Sequence, residues 1–167
     1  MVIGKKIGAL FLILLAAWAL WAAFPTRKRQ VLRTLKALSR AVEKEGREGD
    51  LAAAAAARKV SAFFAPRCQI EAEGYDFRAE VEREEIARYA FAARGRASRV
   101  SLRVYDPVVD FGPEGEAKVR ATVRLEGEGE GDGGESFREV HEVKCILRKG
   151  EEGWKIEEVS LVEVLRR

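Results

Sequence analysis

A chain of 167 residues is long enough for one domain with a buried core and short for two. Its formal net charge of +3 is unevenly spread: of 30 Lys and Arg residues, five fall in the first 29 positions, where no acidic residue occurs. The remaining 25 basic residues face 27 acidic ones, which excludes the broad basic footprint that nucleic-acid binding requires.

The first element is an apolar run. Residues 7–24 are 18 consecutive positions without a charge, the length of a helix that spans a bilayer. Lys5 and Lys6 precede it, Arg27, Lys28 and Arg29 follow it, and Trp18 and Trp21 suit a membrane–water boundary. A cleaved signal peptide is the competing reading, with Ala17-Trp18-Ala19 as a small-x-small site. Leu20 to Phe24 stay apolar beyond that site, and no cysteine lies near position 20 to carry a lipid. The sequence therefore predicts an uncleaved single-pass membrane anchor over residues 1–26 and a domain over 27–167. Two rules conflict on the side of the membrane. A short tail with two lysines reads as an export signal, whereas Arg27 to Arg40 hold six basic residues that should stay inside. The export reading is preferred, which puts the domain outside the cytoplasm.

After Pro25, Val31, Leu35, Leu38 and Val42 recur at helical spacing, a stripe bordered by basic residues and ended by Gly46 to Gly49. It is expected to pack on a sheet with its arginines turned toward lipid headgroups. Asp50 is a plausible N-cap for a second helix running through Ala52 to Ala57 as far as Phe64, where Pro66 stops it. Cys68, Ile70 and Ala72 alternate with polar residues as a short strand, and Gly74 to Phe77 read as a turn. A third helix is expected from about Ala79 to Arg94, burying Val81, Ile86, Tyr89 and Ala90, with Gly95 as its C-terminal cap.

Four long strand patterns close the chain. Val100, Leu102 and Val104 alternate until Asp106-Pro107, where a bend or bulge is expected. Ala117 to Leu125 alternate with Lys118, Arg120 and Arg124, and Phe137 to Leu147 repeat the pattern. Short connections at Gly112 to Gly115, Gly127 to Gly134 and Lys149 to Gly153 make neighbours antiparallel. Cys68 and Cys145 both fall on apolar strand faces with no paired spacing, so no metal site is indicated. They read as two buried thiols, with a disulfide as the alternative.

This order of elements is helix, helix, short strand, helix, four long strands, closing on Gly153-Trp154-Lys155-Ile156. It resembles the nuclear transport factor 2-like superfamily over about residues 28–167. The resemblance implies an α+β fold in which a curved antiparallel sheet wraps around about three helices as a cone. It also implies an apolar pocket open at one end and, often, a dimer through the sheet. The same fold hosts isomerases, dehydratases, binding modules and assembly domains, so fold alone selects none of them.

The candidate chemistry is sparse. His141, the only histidine, shares strand parity with Glu139, Val143 and Cys145, so both polar residues are expected on the concave face. A histidine beside a carboxylate could serve as a general base. Isomerases of the superfamily combine a tyrosine donor with an aspartate base, which makes Tyr75 and Asp76 candidates, although here they are adjacent in one loop. The expected pocket lining is Tyr89, His141, Val143, Cys145 and Trp154. No nucleotide-binding glycine motif occurs, and no cofactor is expected. The sequence thus predicts a non-catalytic binding or assembly domain for a partner protein or a small apolar ligand. The alternative is a small isomerase- or cyclase-like enzyme built on His141. The outward Lys118, Arg120, Arg124, Arg138 and Lys144 offer a third possibility, a docking face for an acidic partner.

Overall fold

A computed structural model describes residues 26–72, 76–129 and 134–162. From Val31 onward the chain forms one compact unit. The described elements are α1 (Arg27–Val42), β1 (Lys44–Glu45), α2 (Asp50–Ser61), β2 (Phe64–Ala72), β3 (Phe77–Glu82), α3 (Arg83–Arg96), β4 (Ala97–Phe111), β5 (Glu116–Gly129), β6 (Ser136–Gly150) and β7 (Gly153–Val162). The strands join in one curved sheet, ordered β1-β4-β5-β6-β7-β2-β3. Every pairing is antiparallel except β2 with β7, which run parallel. No helix among the described residues is long and apolar enough to cross a membrane, and the expected anchor at 7–24 lies outside them.

The four long strands form where the alternation placed them. Between β4 and β5 the register slips after Tyr105, so that Tyr105 faces Thr122 but Val108 faces Arg120. The extra residue falls at Asp106-Pro107, where Asp106 takes a φ of 50°. The bulge keeps Val104 and Val109 on the same, inner face despite their odd separation. At the other turns, Gly115 and Gly153 adopt φ values of 75° and 98°, which glycine reaches without steric cost.

The middle of the chain departs from the sequence expectation in four places. Helix α1 stops at Val42, and Lys44–Glu45 pair with β4 instead of extending the helix to Gly46. Gly49, not Asp50, caps α2, and Asp50 sits in its first turn, where a carboxylate favours the helix dipole. Pro66 does not follow a helix; it lies within β2, where the ladder to β7 shifts between Phe64 and Gln69 and so needs no donor from proline. Phe77 to Glu82 form an edge strand, and α3 begins only at Arg83, behind a capping box in which Glu82 and Glu85 bond each other's backbone. Its C-terminal cap is Ala97, with Gly95 inside the helix.

The core lies on the inner face of the sheet. Val31 and Leu35 of α1 meet Cys68, Val81, Ile86, Ala117, Val119, Leu147, Trp154 and Ile156, all buried. Leu147 and Ile156 are sealed almost completely, and such burial stabilises by about 1.5–3 kcal/mol per side chain. Helix α2 turns a small-residue face, Ala53, Ala57, Val60 and Ser61, inward. Small residues there let α2 and α3 approach closely.

Two buried cations hold the helix ends together. The Arg94 guanidinium on α3 donates to the carbonyls of Ala41, Val42 and Glu43 at 3.3, 2.9 and 3.2 Å. It also grips Glu48 through two bonds of 3.0 and 2.6 Å. Lys44 returns the favour, its ammonium donating to the carbonyls of Arg94 and Ala97 at 2.7 and 2.5 Å. Each cation thus satisfies carbonyls left open at the other element's helix end.

Arg94→Ala should lower unfolding stability by about 3 kcal/mol or more in urea titrations, since it strands Glu48 and three carbonyls in a buried site. The bond from Arg94 holds the Glu48 carboxyl below its ordinary value of 4.5. A depressed folded pKa means that this stabilisation is complete above the unfolded value and fades as pH falls below about 4.5. Glu48→Gln should therefore flatten the acid limb of the stability profile while leaving the neutral limb sloped as before.

Candidate functional site

The structure scatters the residues that the sequence nominated. His141 and Glu139 do share the inner face of β6, their side chains 3.1 Å apart (Nε2 to Oε2). His141 is largely shielded, its side chain 11% exposed, whereas that of Glu139 is 53% exposed. The pair therefore sits at a boundary between protein and water. His141 lies opposite Val123 of β5, which in turn faces Val104 of β4. On the sheet the ring thus has apolar neighbours in register, and among the described residues its polar contact is Glu139.

The other candidates lie elsewhere. Asp76 occupies the turn between β2 and β3, with a φ of 47°. β3 stands three strands from β6, about 14 Å at the usual strand spacing. Tyr75 lies outside the described residues. Tyr89 was expected on the buried face of its helix; instead it is 65% exposed. The buried stripe of α3 runs through Ile86 and Arg94, and Tyr89 falls to one side of it. Trp154 lies opposite Lys149, eight residues along β6 from His141, or about 26 Å. It is packed in the core with its ring 6.1 Å from that of Phe111. Val143 is buried and Cys145 half-buried against the same core.

Both thiols are free. Burial pushes Cys68 up to about 11, with help from Glu158 and Glu157. Burial, and then the neighbouring Cys68, push Cys145 up to about 12. Neither forms thiolate near neutral pH, so they serve as apolar filler rather than nucleophiles.

The outer face of the sheet carries the basic residues expected there, but mostly in pairs. Arg138 contacts Glu126 at 2.6 Å, Arg120 reaches Asp110 at 3.8 Å and Lys118 lies 3.5 Å from Glu116. Arg124 stacks over the Tyr105 ring at 5.0 Å and touches Glu126 at 3.9 Å. This is a solvated, self-neutralised surface.

A different feature stands out: an open groove of about 520 Å³ between α1 and β4. Leu32, Leu35, Leu102, Val104 and Pro107 give it apolar walls, and Lys36, Arg40, Glu43 and Arg103 form its charged rim. It exists because β1 covers the outer edge of β4 only at Arg99 and Val100. The sequence showed Leu35 on a helical stripe and Leu102 and Val104 on a strand face. It gave no sign that the two elements lie side by side with space between them, and Leu32 fell outside the stripe altogether.

No family model and no curated protein matches the chain. Solved structures do. A candidate aromatic ring hydroxylase from Novosphingobium aromaticivorans superposes with a TM-score of 0.65 at 16% identity, covering 82% of this chain and 87% of that one. A candidate dehydratase of the nuclear transport factor 2-like family from Streptomyces avermitilis also gives 0.65, at 15% identity over 84% and 97% of the two chains. A nuclear transport factor 2-like superfamily protein from Salmonella enterica gives 0.64, at 14% identity over 86% and 95%. The chain has the nuclear transport factor 2-like α+β fold.

The thiols provide a direct check on the burial described above. In folded protein at pH 8, a thiol reagent such as dithionitrobenzoate should label both cysteines at least about a hundredfold more slowly than in guanidinium, given their raised pKa values. Rapid labelling of either one in the folded state would contradict this packing.

Proposed function

We propose that this chain is a membrane-tethered, non-catalytic binding domain whose ligand surface is the groove between α1 and β4. The supporting observation is the contrast between that groove and the candidate catalytic residues. The groove gathers five apolar side chains and a charged rim on one accessible surface. The polar residues nominated for catalysis do not converge: His141 reaches Glu139, while Asp76 lies in the turn before β3, three strands away. General acid–base chemistry needs its groups within hydrogen-bond reach of one reacting position. An apolar groove with few polar groups needs no such convergence to hold a ligand.

The experiment is binding of the apolar fluorophore anilinonaphthalene sulfonate to the purified chain. Leu102→Asp should remove most of the fluorescence enhancement, because it places a charge on the groove wall. His141→Ala should leave it intact. Enhancement that survives Leu102→Asp would place the binding surface elsewhere.

The second reading, an isomerase- or dehydratase-like enzyme, draws on one specific observation, the shielded His141 in contact with Glu139. One of the structural neighbours carries the name of a candidate dehydratase. It requires turnover of a ketone or hydroxy-ketone substrate that is lost in His141→Ala, and such turnover would displace the binding reading.

The tether proposal rests on the charge-free run at 7–24. With the export reading, the domain lies outside the cytoplasm. Protease added to spheroplasts with a sealed inner membrane should then digest the domain, whereas intact cells should protect it. Protection in both would reverse the orientation.

A further inference from the structure

The groove has the dimensions of an extended chain. Its α1 wall runs from Leu32 to Glu43 and its β4 wall from Leu102 to Pro107. Eleven helical steps and five strand steps each measure about 17 Å. The two walls of the groove are therefore equal in length. On the strand side the wall is more than apolar. In a β-ladder alternate residues point their N–H and C=O groups away from the partner strand. On β4 those groups meet β1 at Arg99 and Val100, and among the described residues no strand meets them from Ser101 to Tyr105. Beyond Tyr105, the Asp106-Pro107 bulge interrupts the edge.

We propose that this edge takes up an extended, acidic peptide segment of a partner protein, which adds as a strand along Ser101–Tyr105 with α1 closing over its other side. The inference rests on the groove being the ligand surface and names the ligand class. Two observations select a peptide over a small apolar molecule. An alkyl or ring ligand filling the groove would leave the outward N–H and C=O groups of β4 covered without partners, at a cost that a peptide backbone avoids. The rim also carries three cations, Lys36, Arg40 and Arg103, against one carboxylate, Glu43. Among the described residues none of these three cations has an acidic partner, in contrast to the paired arginines of the outer face. Alternate apolar side chains of the peptide would enter between Leu35 and Leu102, and acidic ones would meet the rim. Strand addition of this kind takes affinity from the backbone and specificity from alternate side chains.

The test uses the full chain in lipid nanodiscs and the acetylated, amidated heptapeptide Glu-Val-Thr-Val-Thr-Val-Glu. Two further versions of the peptide are N-methylated at its odd or at its even positions. Hydrogen exchange at Ser101–Tyr105 should slow on adding the peptide. One N-methylated version should bind at least about tenfold more weakly while the other binds as the parent does, because a strand offers only alternate N–H groups to its neighbour. Arg103→Glu should weaken binding by about fivefold, the scale of an exposed ion pair. Equal weakening by both methylated series would overturn strand addition. Binding of anilinonaphthalene sulfonate without binding of the peptide at about millimolar concentration would overturn it too, yet leave the groove as a site for small apolar ligands. Failure of both probes would remove the groove reading itself.

Discussion

The reciprocal capping by Arg94 and Lys44 is the constraint on which the arrangement of this domain depends. Helix ends expose carbonyls that water would ordinarily satisfy, and at both α1 and α3 several of these carbonyls are buried or partly buried. The chain solves this with two cations that cross over. Arg94 leaves α3 to bind the end of α1 and Glu48, and Lys44, just past α1, binds the end of α3. Lys44 is also a residue of β1 and pairs with Val100. One cluster therefore fixes the end of α1, the end of α3 and the beginning of β4 relative to one another. Guanidinium suits the crowded side of this exchange, because its planar fork reaches three carbonyls and a carboxylate at once.

That fixed corner determines what can happen further along α1 and β4. The two elements leave the cluster together, and since β1 ends after two residues, no strand among the described residues fills the space between them. The groove is thus a consequence of where capping ends and pairing stops. A gradient of burial along the sheet follows the same logic. On β6, Leu147 is fully covered by the core, Val143 is 8% exposed, and Phe137 at the far end is 39% exposed. Phe137 lies across Gly127 of β5, where any β-carbon would come within 2.5 Å of its ring. The glycine is there to admit the aromatic ring against the strand.

Much of the sheet was legible in the sequence because period-two alternation is a local property. The four long strands and the inward parity of His141, Val143 and Cys145 came from it, and the bulge at Asp106-Pro107 from the donor that proline lacks. The failures have a shared cause. Phe77, Ala79 and Val81 alternate over only six residues, and next to a true helix the same residues also satisfy a helical stripe. Pro66 reads as a helix stop unless the bulge that accommodates it is known, and that bulge depends on β7, nearly ninety positions later. Gly127 to Gly129 look like part of a turn, yet they belong to β5. The groove was beyond the sequence for a deeper reason. It is defined by a missing strand and by Arg94, whose burial at the centre of the capping cluster nothing in its local pattern announces.

Charge distribution bears on where a macromolecular partner would engage. Docking on the outer sheet face, including a second copy of this chain, would have to desolvate Arg138–Glu126, Arg120–Asp110 and Arg148–Glu157. Those pairs already neutralise one another, so burying them costs hydration without a new counter-charge to offset it. Val108 and Val140 are exposed on that face but are flanked by such pairs. At the groove the balance reverses. Among the described residues its cations have no acidic partner and no strand meets β4 from Ser101 to Tyr105, while its walls are apolar. A partner there gains charge neutralisation, apolar burial and a ladder of hydrogen bonds at once, whereas on the outer face it would gain apolar contact alone and lose hydration in the same step.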